Sequence, residues 1–413
     1  MHVKIISFLI YLIPPFIVAG PFLGDLSLSI VSLYFLIETF RKKLWGYYKN
    51  FFVYLFISFY LFILIRSLFT SEILLSLESS LFYCRFLFFS LCIGYIIDSN
   101  TQFNKHFFIS LSLTLIIVCL DAIYQYYFGY NFLGFEKVPP YNYTSGLFGD
   151  ENKLGSYLAR LMPLFFALVA IFHKDRIYFF WISMLVLVLI DIVVFLSGER
   201  AAFFLVLLGS FILIVFTKKF RLPRLIALII SSILIFIITE FSPKIKNRMF
   251  DQTIESIGLN KKSDQIYLFS PGHHALFKSG LKMFNDKPMF GQGTKMFRVL
   301  CDNEKFKVYK PEELCSTHPH NTYVQLLAEV GIFGTLPIIG IFLYVCYIIF
   351  KNGYYIYIRN KNIIPDYKVC IYAAIIVNLW PFIPTGNFFN NWLSILYFLP
   401  IGFLFCKKII KDN

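Results

Sequence analysis

Apolar residues run along this chain in blocks of membrane-spanning length. Twelve such blocks cover residues 4–19, 22–40, 51–69, 78–97, 107–128, 154–172, 178–196, 201–216, 225–239, 322–349, 368–384 and 392–406. Roughly 17–25 apolar residues in a helix cross the hydrocarbon core of a bilayer. The pattern therefore predicts an all-α, polytopic membrane protein of about 12 transmembrane helices. Residues 240–321 break the rhythm of short connections: they are hydrophilic and long enough for a mainly helical loop subdomain. The expected division is residues 1–239 with the first nine spans, the loop 240–321, and residues 322–413 with the last three spans.

Composition agrees with that class. The 413 residues are 58% apolar, 20% aromatic and 15% charged, against about 25% charged in soluble domains. A formal charge of +14 would by itself suggest nucleic acid, but in a membrane protein charge is first sorted by connection. Lys4, Arg41, Lys42, Lys43, Lys49, Lys105, Lys174, Arg176, Lys218, Lys219, Arg221 and Arg224 fall on one side. After the long loop, Lys351, Arg359, Lys361, Lys368, Lys407, Lys408 and Lys411 continue it. The short connections of the other side hold only Lys137, Lys153 and Arg200. Lys and Arg accumulate in cytoplasmic loops, so both termini are expected in the cytoplasm and the long loop outside. The first apolar run lacks a small-residue cleavage site, so no cleavable signal peptide is expected. The long loop carries thirteen Lys/Arg, among them Lys244, Lys246, Arg248, Lys261 and Lys262. Long loops cross regardless of charge. Beside a membrane such charge suits lipid head groups or phosphates, and no nucleic-acid partner is expected.

Six of the eight cysteines, Cys84, Cys92, Cys119, Cys346, Cys370 and Cys406, lie in or at the ends of spans and read as small hydrophobes. Cys301 and Cys315 fall in the long loop and read as a disulfide in an oxidising space such as a bacterial periplasm. Closing that loop contributes about 3 kcal/mol in the chain-entropy account. No second cysteine pair accompanies them, so no metal is expected.

Charge inside a span costs roughly 2.5–3.5 kcal/mol at the helix centre. Arg66, Arg85, Arg160, Asp121 with Gln125, and Asp191 each need a reason. Pairing or snorkelling suits Arg66; the others are candidates to line a cavity opening outward. The turn Ser197-Gly198-Glu199-Arg200 puts a guanidinium on a short external connection, where it suits bidentate phosphate contacts.

The densest polar chemistry lies between Cys315 and Gly334. Pro319 separates His318 from His320 and pushes His318 toward an extended conformation. Asn321 is a good N-cap, and Asn321, Gln325 and Glu329 repeat at i, i+4, i+8 on one helical stripe. Upstream, Pro271-Gly272-His273-His274 opens an amphipathic helix to about Asn285, with Leu276, Phe277, Leu281 and Phe284 as its apolar side, suited to a membrane surface. Gly291-Gln292-Gly293-Thr294-Lys295 lacks the spacing of a phosphate loop. A zinc site from His273, His274, His318 and His320 has the count but no zinc-binding spacing.

The run His320-Asn321, nine residues, Gly331, two residues, Gly334 resembles the signature of bacterial O-antigen ligases and the related O-antigen polymerases. The Ser-Gly-Glu-Arg turn resembles their arginine marker, and Asp286-Lys287-Pro288-Met289-Phe290-Gly291-Gln292-Gly293 through Phe297-Arg298 resembles the segment before their histidine. The chain departs from the pattern at Phe204, where a leucine commonly follows the arginine; Arg160 with Leu164 has that spacing. It departs again at His273-His274, where many relatives carry an arginine.

The resemblance implies glycosyl transfer from a polyprenyl diphosphate-linked glycan donor, on the periplasmic side of a Gram-negative inner membrane, without cofactor or metal. The acceptor is a lipid A core sugar for a ligase, or a lipid-linked glycan for a polymerase. It assigns catalysis to His320 with His318, and diphosphate binding to Arg200, Arg298 and Arg160. Asn321, Gln325, Glu329 and Glu199 become cavity-wall or supporting residues. A helix starting near Asn321 would disfavour an imidazolium, keeping His320 available as a base. A transporter or flippase for lipid-linked sugar is the rival of another class, but it should show internal repeats, and none is visible.

Overall fold

The computed structural model describes residues 2–139, 143–172, 177–256, 270–308 and 315–408. Lys174, Arg176, Lys261, Lys262 and Lys411 lie outside these residues. Helices α1 (His2–Ala19), α2 (Pro21–Lys42), α3 (Phe51–Ser67), α4 (Ile73–Ser80), α5 (Cys84–Ser99) and α6 (Phe103–Phe128) come first. Then follow α7 (Leu154–Phe172), α8 (Ile177–Leu196), α9 (Arg200–Phe216) and α10 (Arg221–Phe241). The long loop carries α11 (Pro243–Lys246), α12 (Gln252–Ser256), α13 (Pro271–Asp286) and α14 (Phe297–Leu300). The chain continues through α15 (Thr322–Arg359), α16 (Asp366–Asn378) and α17 (Asn391–Gly402). Among the described residues the only β pairing is isolated bridges.

Among the described residues, seven helical stretches are long and apolar enough to cross a bilayer: α1, α2, Ile73–Ser99, α6, α7, α10 and α15. The count is lower than the twelve apolar blocks. Helices α3, α9 and α17 are apolar but shorter, and the described side chains of α8 (Ile177–Leu196) cover only Trp181–Leu196. Helix α16 stops at Asn378, well before the expected end at residue 384. Pro381, Pro384 and Gly386 follow, and none of them favours helix continuation. At the centre stands α7, buried continuously from Tyr157 to Val169 and packed on α8, α9 and α16. Helix α10 is the opposite case, with most of its apolar side chains exposed, as suits lipid.

Most intraspan charges are consumed by structure. Arg224, expected at a cytoplasmic end, is fully buried within α10 and makes a two-pronged ion pair with Asp191, 2.6 and 2.8 Å. Ser210 accepts from Arg224 Nε at 2.9 Å, and Ser231 donates to Asp191 at 2.9 Å. Arg85 pairs with Asp25 at 2.7 Å. Asp121 accepts from Asn131 and the Phe132 amide, and Gln125 accepts from the Ser145 and Gly146 amides. Arg85, Asp121, Gln125 and Asp191 therefore do not line the large cavity described below. Asp191→Ala would strand the Arg224 guanidinium at 0% exposure. It is expected to cost about 3–5 kcal/mol, read as a fall in the unfolding midpoint in detergent, with Asp191→Ala/Arg224→Leu partly restoring it.

Helix α15 is broken at Gly331 (φ 64°, ψ −167°). Residues 288–293 sit in the break. The Gln292 and Gly293 amides donate to the Ala328 and Glu329 carbonyls, 2.9 and 2.6 Å, and the Ile332 and Phe333 amides donate to Pro288 and Met289, 2.9 and 3.2 Å. Four backbone groups of α15 on the two sides of the break thus find partners, as a break inside an apolar bundle requires. Arg66 does not snorkel. Its guanidinium donates to the Phe290, Gly291 and Phe69 carbonyls at 3.0, 2.7 and 2.6 Å, pinning the inserted segment. Helix α13 also differs from expectation: Ala275, Leu276, Ser279, Gly280 and Met283 are its buried stripe, packed on α15, while Leu281 is exposed. Close approach explains the pairing, since a Cβ on Gly280 would lie 2.6 Å from Val324. Its inner face is spent on protein, not on a membrane surface.

Candidate active site

The histidine segment is positioned from both ends. Cys315 is disulfide-bonded to Cys301, Cα to Cα 5.3 Å, which ties the segment to the end of α14 and so to Arg298. Asn321 caps α15, accepting from the Tyr323 and Val324 amides at 3.0 Å each. Its own amide nitrogen donates to the Pro381 and Ile383 carbonyls, 2.8 and 3.1 Å. Between these anchors His320 takes a positive φ of 54°. A non-glycine residue in that region is uncommon and persists where its surroundings over-determine it. Here the Thr385 amide donates to the His320 carbonyl at 2.9 Å.

His318 and His320 differ in what their rings can do. His318 Nε2 meets the Thr385 carbonyl at 3.3 Å, so that nitrogen carries the proton, and Nδ1 meets the Thr317 hydroxyl at 3.0 Å. Both ring nitrogens are occupied. Among the described residues, His320 Nε2 has only a long 3.4 Å contact with the Ser316 hydroxyl. The His318 and His320 rings lie 4.1 Å apart between centroids, and His273 stands 5.4 Å from His320. Burial pushes His320 below its ordinary value. Burial, and then the neighbouring His320, take His318 to about 3 and His273 to about 4. All three are neutral at physiological pH. Despite this crowding, no three His, Cys, Asp or Glu side chains among the described residues are arranged to hold a metal ion.

These rings open onto a cavity of about 1060 Å³. Among the described residues its wall carries five cationic side chains, Lys153, Arg160, Arg200, Arg248 and Arg298, against one carboxylate, Glu199. Arg160 reaches in from α7, held by Ser156 and Asn378 at 3.1 and 2.8 Å and lying over the Tyr397 ring. Arg200 starts α9 and donates to the Gln252 carbonyl at 3.1 Å. Arg248 donates to the Gln252 side chain at 2.7 Å and lies over Tyr143. Glu199 accepts from the Gly155 and Ser156 amides, 2.6 and 3.1 Å, so it seals the N-terminus of α7. Burial raises it to about 7, partly opposed by those amides and by Arg160.

The cavity thus brings His318, His320, Arg160, Arg200, Arg298 and Glu199 together. Asn321, Gln325 and Glu329 stand behind the wall. Gln325 donates to Glu329 and to Asn387 at 3.0 and 2.9 Å and accepts from the Phe388 amide, while Glu329 accepts from the Phe297 amide. The polar stripe exists, but it binds the segment after α16 and the start of α14. Of that segment, residues 379–390, hydrophobic patterning hid 379–384 inside an apolar block; Pro381 and Pro384 were its signal. His273 and Arg248 were visible only as loop residues.

Residues 183–339 match the family model described as O-antigen ligase. The match supports membership of the O-antigen ligase and polymerase family. It spans Arg200, the whole long loop, the histidine segment and the break at Gly331. No curated protein matches the chain. The match over residues 183–339 suggests a ligase- or polymerase-type glycosyltransferase role with lipid-linked glycans as substrate class, and the apolar helices suggest a multi-pass membrane protein. The glycines of the O-antigen ligase signature acquire a physical reason here. Gly331 is the break in α15, and a Cβ on Gly334 would lie 2.6 Å from Val330 and 2.8 Å from Phe62.

Proposed function

We propose that this protein is an O-antigen ligase-type glycosyltransferase. It moves a saccharide from a polyprenyl diphosphate carrier to a sugar hydroxyl of the lipid A core, on the periplasmic side of the inner membrane, using no metal or other cofactor. The supporting observation is one chamber in which a neutral, sparsely bonded histidine faces a cluster of cations. Two buried donors bordering it, Arg298 Nε and Trp380 Nε1, have no hydrogen-bond partner among the described residues. Phosphate oxygens are the acceptors such donors suit.

The step follows from those residues. His320 takes the proton of the acceptor hydroxyl as its oxygen bonds to the anomeric carbon. The bond from that carbon to the diphosphate breaks, and the electron pair leaves with the diphosphate. Arg160, Arg200, Arg248 and Arg298 meet the charge it gains. His318, bonded through both nitrogens, positions the loop. Orientation rests on the sorting of Lys and Arg, which puts both termini in the cytoplasm and residues 240–321 outside, between membrane regions 1–239 and 322–413.

Arg160→Ala and Arg200→Ala are each expected to lower transfer about 10²–10³-fold, read in cells whose surface glycan is resolved on a gel. Loss of capped lipid A with lipid-linked polymer accumulating is the expected result. Single repeats still attached to lipid A would make the protein a polymerase, and an undisturbed glycan ladder in both variants would overturn the reading.

A further inference from the structure

His273 lines the cavity with His318 and His320 but has no part in the step described above. It stands in the first turn of α13, which Ser270 caps. The Ser270 hydroxyl oxygen accepts from the His273 amide at 3.3 Å, and the same oxygen lies 2.7 Å from Nδ1 of the His273 ring. Helix capping explains the first contact and not the second. Among the described residues, Nδ1 is the only acceptor within reach of the hydroxyl proton. Ser270 therefore donates to Nδ1, and the single proton of a neutral imidazole is left on Nε2. Among the described residues Nε2 has no hydrogen-bond partner. The ring stands edge to face with His320, centroids 5.4 Å apart. Burial first, then His320, Arg200 and Arg248, oppose a charge on it. His273 is thus a fixed, neutral N–H donor standing with the base and two of the cavity's arginines.

We infer that His273 is a second catalytic histidine, which donates a hydrogen bond from Nε2 to the diphosphate oxygen that leaves the sugar, with Ser270 fixing its tautomer. The inference rests on the reading above, that the donor is a lipid diphosphate. As the bond from the anomeric carbon to that oxygen breaks, the electron pair stays on the oxygen. The Nε2–H meets the charge that grows there and keeps its proton. The proton of the acceptor hydroxyl goes to His320, as before. A neutral imidazole whose environment disfavours the cation is suited to this donor role. Neutrality matters at this place. His320 must become an imidazolium in the same step, and a like charge beside it disfavours that. The arginines attract the diphosphate throughout, whereas His273 adds a bond next to the base without adding charge. His318 is not equivalent, because both of its ring nitrogens are bonded.

The test compares two substitutions of matched length in the full-length protein in phospholipid nanodiscs, with a polyprenyl diphosphate-linked glycan as donor and lipid A core as acceptor. His273→Met fills the space without a donor, and His273→Gln keeps an N–H near the place of Nε2. His273→Met is expected to lower kcat about 10–10²-fold, the worth of one hydrogen bond to a charged group. The KM for the donor should change little, because the bond strengthens as charge leaves the sugar. His273→Gln is expected to recover most of the loss. Ser270→Ala, which frees the tautomer, should lose part of kcat, and full activity there would overturn the tautomer on which the donor rests. His273→Met at the wild-type kcat, beside an inactive Arg200→Ala, would overturn the inference and leave the ligase reading intact. So would a glutamine variant as slow as the methionine one, which would make the ring a packing element, or a loss confined to KM, which would make it a ground-state contact. Wild-type protein that transfers nothing from the polyprenyl diphosphate donor would overturn the reading itself, and the inference with it.

Discussion

His320→Asn is expected to lower transfer by orders of magnitude and to leave the protein folded. Asparagine tolerates a positive φ better than most residues, so the backbone at 54° is kept while the ring nitrogen is lost. Alanine at the same place would mix loss of the base with backbone strain. A positioned general base contributes about 10²–10⁴ in rate, and the expected loss is of that size. It is measured as transfer by purified protein beside an unchanged unfolding midpoint. Retained activity in the asparagine variant would remove His320 from the reaction. A pH profile supplies a second readout. The base must be neutral, so activity falls as pH drops through its pKa. Burial holds that pKa below its ordinary value, which puts the acid limb of kcat/KM below about pH 6.5. A limb from His318 or His273 would lie near 3 or near 4. A limb at or above pH 6.5 would contradict the burial argument.

Those three histidines also link stability to pH. Each has a folded value below its unfolded one, so the unfolded chain binds protons that the folded chain does not. Their contribution to stability is full above the unfolded value, about 6.5. It is lost as pH falls toward their folded values. The carboxylate Glu199 runs the other way, because burial raises it to about 7. Its contribution is largest where it is protonated and weakens as pH rises through that value.

Periodicity made much of this protein legible, and its failures share one cause. A block of apolar residues says that a helix is buried or in lipid, and each of the twelve blocks contains a helix. It does not say where a helix ends inside apolar surroundings, so residues 379–384 passed as span. The stripe of Asn321, Gln325 and Glu329 was correctly placed on one face, but a repeat reveals which residues share a face and not what meets it. What meets it is the Phe388 amide, Asn387 and the Phe297 amide. The histidine–arginine set was readable because His320, Arg200 and Arg298 lie in compact local motifs. Arg248 and His273 were not, since their place in the cavity depends on long-range docking of the loop. The disulfide was readable by elimination, as two cysteines outside the apolar blocks.

The break in α15 is the feature on which the site most depends, and it predicts the most severe structural variants. Gly331 has φ 64° and ψ −167°, a region essentially reserved for glycine. A Cβ there would lie 2.5 Å from the Met289 carbonyl carbon and oxygen, and one on Gly291 would lie 2.4 Å from the Glu329 carbonyl carbon. The two glycines are opposite sides of one backbone contact, and neither neighbour is a side chain that can swing away. Gly331→Ala carries about 1–3 kcal/mol of backbone strain and a further 1–3 kcal/mol or so of overpacking. Gly291→Ala should be comparable. Either change expels residues 288–293, which releases the carbonyls held by Arg66 and shifts α14 with Arg298 away from the histidines. Both variants are therefore expected to lose transfer and unfold at lower temperature, although neither residue lines the cavity. Gly334→Ala should be milder, because the atoms its Cβ meets belong to the side chains of Val330 and Phe62. Once one glycine has expelled the segment, the second has little left to disturb. The double variant Gly291→Ala/Gly331→Ala should thus be destabilised by much less than the sum of the singles. Strict additivity in the unfolding midpoints would show that the two glycines do not share this contact.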